Sequence, residues 1–439
     1  MADDIAWARN DGWHRLSRRR MLQLSAGAAL AGLVPRTAMA AGLELNVFGH
    51  RVHQSAATSG PGGDATEAWR KESGNTASWV TLGDVNAIHE RLLREATLGT
   101  TTIDVAYLLN GRAVPRNLKL FAPLDSFQKE APIAEFDDIA PGLVKPLQLD
   151  GALYGVPVRH ATNVIIYNEA LFEERGVALP KTFEELVEAA RKLTFKRDDG
   201  TQVYGLAFTP VFASNFLTIA RSLDGDYMTE DRKIVAAEAP MVEALTVLAS
   251  LYKDGVLPRN TATLNNEELT TWMQQGRAAM SIQPFARLAS YNDPQKSRYP
   301  GKLKPLVPPM AEALVGKASY APTVEFWSLV IPANSKNQRA AWDFIRHLSS
   351  PAATTQMALN GNGPVRIKTY ADPAFGKSYP YAAVEAEAVA ASRIHLPAFD
   401  EQARAHDIFI EETQAAVFGM KTPQDAMADA EKRVAPMLG

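Results

Sequence analysis

Residues 151–172, GALYGVPVRHATNVIIYNEALF, set the reading of the fold. A tight Gly-rich turn leads into an extended polar segment. An apolar strand follows and ends at Tyr167-Asn168. Eight residues beyond Phe172, Pro180-Lys181-Thr182-Phe183 opens a helix. Thr182 and Glu185 have capping-box spacing, and Phe183, Leu186, Val187, Ala190 and Leu193 keep the helical period.

The same alternation extends outward on both sides. Residues 43–48 read as a first strand. Asp84 caps a helix whose stripe is Val85, Ile88, Leu92 and Ala96. Residues 103–109 read as a second buried strand. Strands separated by helices predict an α/β fold with a parallel sheet. Further along, Val242, Leu245, Leu248 and Tyr252 form a stripe that stops before Gly255. Thr422-Pro423 with Asp425 opens a last helix.

At 439 residues the chain exceeds what one small core needs, so two domains are expected. Net charge is −3 and no basic block stands out beyond the N-terminus, which speaks against nucleic acid or anionic membrane as partner. There is no cysteine, so disulfides, thiolate metal sites, cysteine nucleophiles and an N-terminal lipid-bearing cysteine are excluded. Residues 1–40 read as a targeting segment. Ser17-Arg18-Arg19-Arg20-Met21-Leu22 resembles a twin-arginine signal, an Ala- and Leu-rich run follows over 22–34, and Ala38-Met39-Ala40 offers a cleavage site before Ala41. The run is too short to span a bilayer.

Several segments resemble, in order, the extracellular solute-binding proteins of sugar-type ABC importers, distant relatives of maltose-binding protein. They are Ile103-Asp104-Val105, Phe121-Ala122-Pro123-Leu124-Asp125, Gly155-Val156-Pro157 with Tyr167-Asn168, residues 180–186, Gly276-Arg277-Ala278-Ala279-Met280, and residues 340–345 before Pro351. The resemblance implies a two-lobed clamp of periplasmic-binding-protein type, with the ligand in the cleft between lobes. One lobe would comprise about 42–158 plus 326–370, and the other about 165–325 plus 375–439. Crossings would fall near 159–164, 322–327 and 370–375. It also implies a periplasmic monomer that needs no cofactor or metal and serves a membrane permease and its ATPase.

Strand-end loops would then line the cleft. Sugar hydroxyls call for polar side chains of fixed direction, and the apolar face of a pyranose for a flat aromatic. His50 and Arg51 follow the first strand, near His53. Without carboxylate or cysteine partners the two histidines do not suggest a metal. Arg112 follows the second. Arg159 and Asn163 stand on the crossing, where Ala161 replaces the carboxylate of the maltose binder and argues against a maltose-like ligand. Phe212 and Asn215 follow a strand over 204–208; Gln283, Phe285 and Arg287 follow one over 280–282. Glu325 and Trp327 precede a strand over 328–331 and would narrow the pocket. Arg366 would brace the hinge.

The function expected is capture of a small carbohydrate or polyol by lobe closure. Convergent arginines would instead indicate a sugar acid, sugar phosphate or other anion. A carbohydrate-active enzyme is the third reading, but no motif assigns an acid and a nucleophile among the carboxylates.

Overall fold

The computed structural model describes residues 42–210 and 212–438, so the expected leader lies outside the described residues. Among the described residues seven strands form one mixed sheet. They are β1 (Glu44–His50), β2 (Thr76–Leu82), β3 (Val105–Leu109), β4 (Val156–Asn168), β5 (Met280–Pro284), β6 (Leu303–Leu306) and β7 (Val324–Val330). Their order is β2-β1-β3-β7-β4-β6, and β5 also pairs with β4. β1 runs parallel to β2 and β3, whereas β7 and β4 are antiparallel to their neighbours. The parallel βαβ expectation therefore holds for one edge of the sheet. The strand expected over 204–208 makes only isolated bridges, Tyr204 to Ala278 and Ala207 to Ser281.

The helices used below are α1 (Arg51–Thr58), α2 (Val85–Ala96), α3 (Phe183–Lys192), α4 (Phe212–Ala220), α5 (Ala239–Lys253), α6 (Gln338–Leu348), α7 (Ala382–Ala390), α8 (Gln402–Val417) and α9 (Pro423–Val434). Their starts follow local chemistry. Asp84 accepts from Ala87 N at 2.7 Å, Thr182 from Glu185 N at 3.2 Å, and Thr422 from Asp425 N at 3.1 Å. The Glu185 carboxylate takes the N–H of Lys181 rather than that of Thr182, so the box closes one residue early.

Two large cores organise these elements, with a smaller cluster of Val164, Ile166, Trp272, Phe285 and Tyr291 beside the second half of β4. The first gathers Leu45, Val105, Leu108, Val156, Phe326 and Trp342. The second gathers Ile165, Leu186, Phe208, Leu245, Phe409 and Met427. β4 belongs to both. Its first half pairs with β7, and its second half with β5 and β6. Thirteen residues of strand reach about 43 Å, enough to run from one core into the other.

The other passages lie beside it. Beyond the crossing expected near 370–375, Phe375, Ala382 and Val389 still pack in the first core, while Ala388 packs with Val164, Ile166 and Leu303. The chain leaves at 393–396, after which Leu396 and Phe399 join the second core. Here Val324 N donates to Arg393 O at 3.0 Å, and Arg393 N to Pro322 O at 2.9 Å. Arg221, 2 % exposed, pins both passages. Its guanidinium donates to the carbonyls of Ala321, Arg393 and Ile394 and pairs with Asp226 at 3.0 Å. Burial penalises its charge, and Asp226 offsets part of that penalty.

Candidate ligand-binding cleft

Strand parity decides which side chains face the cleft. Along β4, Arg159, Ala161 and Asn163 are half-buried, while His160, Thr162 and Val164 between them are buried. In register with them on β7, Trp327 stands opposite Arg159 and Glu325 opposite Ala161. These five share one face. The pairing skips a residue between Trp327 and Ser328, a bulge that sets the crossing apart from the regular sheet below it. Glu325 thus places a carboxylate directly across the strand pair from Ala161. Glu325 and Trp327, expected just before the strand, lie within it.

One cavity of about 240 Å³ adjoins this face. The first core contributes Leu109, Asn110, Gly111, Arg112 and Glu325 at the ends of β3 and β7. Ser214 of α4 comes from the other side, as do His395, Leu396, Gln402, Ala403, His406 and Asp407 from the third passage and the start of α8. It is therefore walled from both cores. Arg112 gives one N–H to Asn86 Oδ1 at 3.1 Å. Glu325 keeps accessible surface, yet protein surrounds it, and this desolvation pushes its carboxyl above the usual carboxylate range.

The histidines of this wall are neutral. Burial lowers His395 to about 3, helped by His406 and Arg221. Burial also lowers His406, against the pull of Asp407. Their rings lie 6.0 Å apart. Gln402 is 6 % exposed; its Nε2 donates to Leu396 O at 3.0 Å, and its Oε1 has no partner. His395 Nε2 is likewise unpartnered. Buried polar atoms left without partners are costly, and a ligand or water that reaches them recovers that cost.

Of the residues singled out by sequence, Arg112 and Glu325 meet in this cavity. The others do not line it. His50 caps α1: Nδ1 accepts from Val52 N at 3.2 Å, and Nε2 donates to Gly83 O at 3.0 Å. Both ring nitrogens are occupied, and the expected loop is a helix start. Arg51 is exposed on its first turn. Arg159 donates to Asn362 Oδ1 at 3.1 Å, and Asn163 to Thr323 Oγ1 at 3.1 Å. Asn215 is buried on Thr209 O at 2.7 Å. Gln283 stands opposite Val164, on the face turned away from Arg159. Phe285, 1 % exposed, packs beside Trp272 and Tyr291 and offers no stacking face. Arg287 is half-buried in the turn after β5 and does not line the cavity. The Phe212 side chain lies outside the described residues.

Trp327 is 8 % exposed and held between two imidazoles, His53 edge-on at 4.6 Å and His89 stacked at 5.3 Å. His89 donates from Nδ1 to Val85 O and accepts at Nε2 from Leu109 N, which fits the neutral ring; burial lowers it to about 4. Packed in this way, Trp327 leaves little of its ring open on the face it shares with Arg159 and Glu325.

A second cavity of about 240 Å³ lies between the cores near Lys145, Glu230, Arg232 and Arg393. Its principal charges are already paired, Lys145 with Glu230 at 2.5 Å and Arg393 with Asp226 at 3.1 Å. Its wall also holds two buried unpartnered atoms, Arg393 Nε and His395 Nε2, but none of the strand-end residues of β3 and β7 that border the crossing face. The sequence signal for the first cavity was faint. His395 and His406 stand close together in a chain with eight histidines, but no motif frames them.

Comparison with known proteins adds the following. Residues 58–355 match the family described as bacterial extracellular solute-binding protein. A curated relative in Sinorhizobium fredii, named "Probable amino-acid ABC transporter periplasmic-binding protein", is 23 % identical over 384 residues, 84 % of each chain. Among solved structures, T. maritima MalE3 with maltose bound superposes with a TM-score of 0.74 at 21 % identity, covering 90 % of this chain and 99 % of that one. A solute-binding protein of Agrobacterium vitis with bound D-mannitol gives 0.71 at 20 % identity, covering 90 % and 98 %. These structural likenesses establish the two-lobed fold.

Proposed function

The chain belongs to the bacterial extracellular solute-binding protein family, and from that premise we propose that it is the receptor of an ABC importer for a small carbohydrate or polyol. The observation that carries this reading is the cavity walled from both cores. A ligand touching Arg112 and Glu325 on one side and Ser214, Gln402 and His406 on the other is bound better when the walls approach. Binding then favours the closed arrangement by the difference in affinity between the two states. We assign 42–158 and 326–390 to one lobe and 165–325 and 396–438 to the other, with β4 and the paired segments at 322–324 and 393–396 as hinge.

The cavity's size favours a compact solute; pockets for drug-sized ligands run about 300–1,000 Å³. The mannitol bound to the A. vitis relative supports the same class. Charge separates this reading from the anionic one. Among the described residues Arg112 is the single arginine of the cavity wall, against Glu325 and Asp407. The arginines do not converge, so a sugar acid or phosphate is the poorer fit.

The protein would act in the periplasm as a monomer, after twin-arginine export and cleavage before Ala41, and deliver its solute to a permease and ATPase. It would be a carrier and not an enzyme. N-terminal sequencing of the exported chain should begin at Ala41. Thermal unfolding of the mature chain against sugars, polyols and organic acids tests the ligand class. A ligand at a thousandfold its Kd stabilises by about 4 kcal/mol. Stabilisation by carboxylates alone, or turnover of a glycoside, would overturn the reading.

A further inference from the structure

The cavity's unmet polarity is lopsided. Among the described residues the Glu325 carboxylate has no hydrogen-bond or ion-pair partner, and neither has that of Asp407. Gln402, more than nine-tenths buried, adds an acceptor with no donor facing it. The wall has one cationic side chain, Arg112, partly engaged by Asn86. With its histidines neutral, the wall carries one positive and two negative charges. It lacks donors and cations, which the ligand must bring.

Hydroxyl groups meet part of that need, since each can donate one hydrogen bond. They leave the Glu325 carboxylate at the cavity wall without an opposite charge beside it. An ammonium group supplies up to three donors and the missing charge together, and such charge-assisted bonds are roughly twice as strong as neutral ones. A carboxylate or phosphate ligand would add repulsion.

We propose that the solute of this cleft is a polyhydroxylated amine, an amino sugar or amino polyol, whose ammonium group docks on Glu325. The inference rests on the receptor reading above and narrows its ligand class. Gln402 Oε1 and Asp407 accept from the ligand's hydroxyls, and Arg112 donates to a hydroxyl at the opposite wall.

Isothermal titration of the mature chain tests it, with amino sugars and amino polyols each measured beside its neutral parent and its N-acetylated form. The amine should bind at least tenfold tighter than both. In Glu325→Gln, with folding checked by circular dichroism, the ratio of amine to parent affinity should fall to about one. Neutral parents that bind as tightly as the amines overturn this inference and leave the receptor reading standing. A preference that survives Glu325→Gln overturns the assignment to that carboxylate. If no amine, sugar or polyol binds, the receptor reading falls with it.

Discussion

Replacing Glu385 by Gln should make the protein more stable at neutral pH and change it little in acid. Glu385 lies on α7, 4 % exposed, behind the crossing strand. Its carboxyl stands 3.4 Å from His160 Nε2, whose ring also meets Tyr370 Oη at 2.7 Å and Thr162 Oγ1 at 2.9 Å. Tyr379 is the remaining titratable neighbour. Burial raises the Glu385 carboxyl to about 7, with Tyr379 pulling weakly the other way, and lowers His160 to about 3. The pair is thus neutral over most of the acid range. An unfolded glutamate titrates near 4.5, so from there to about 7 the native state holds a proton that the unfolded chain has released. The contribution of Glu385 is full below pH 4.5 and is lost as pH rises through 7. The shift corresponds to about 3 kcal/mol. Gln reproduces the protonated acid without the titration. His160 tilts stability the opposite way, since its depressed value withdraws stability as pH falls below 6.5, but it is common to both proteins. Urea unfolding of the wild type and Glu385→Gln at half-unit steps from pH 4.5 to 8 isolates the carboxyl. The difference should grow with pH and level off above 7. A difference independent of pH would refute the reasoning.

Three further outcomes follow from packing and polarity. Arg366 is fully buried and donates to the carbonyls of Ala134, Glu135 and Ser349, so Arg366→Met should cost at least about 3 kcal/mol in urea unfolding. Gly363→Ala would put a Cβ 2.3 Å from His160 O, and a midpoint shift worth about 1–3 kcal/mol is expected from the forced displacement. Arg112→Ala should weaken ligand binding roughly tenfold to hundredfold by calorimetry, with little change in the melting of the free protein, because the side chain is half-buried and makes one hydrogen bond.

What could be read from the sequence was what neighbours in the chain determine. Asp84, Thr182 and Thr422 cap their helices because capping involves residues three apart. The crossing itself was legible because a strand and its following helix are local objects. The site was legible only where a strand end gives direction, as at Arg112. Phe285 shows the limit: a phenylalanine suits a cleft or a core equally, and its place follows from packing with Trp272 and Tyr291 that no local pattern encodes. His50 had the right chemistry, but Gly83 and Val52, brought to it by β2 and α1, claim both nitrogens. The wall formed by His395, Gln402 and His406 was missed because it depends on where the last passage docks. Phe375, Ala382 and Val389 delay that passage by some twenty residues.

The strand shared by the two cores bears on how the molecule comes apart. Val156 and Val158 anchor β4 in one core, and Ile165 and Tyr167 anchor it in the other. When either core melts, the backbone bonds of β4 on that side are lost and the end of the remaining sheet frays. Each lobe is therefore a template for its neighbour, and denaturation should proceed as a single cooperative transition instead of two independent ones.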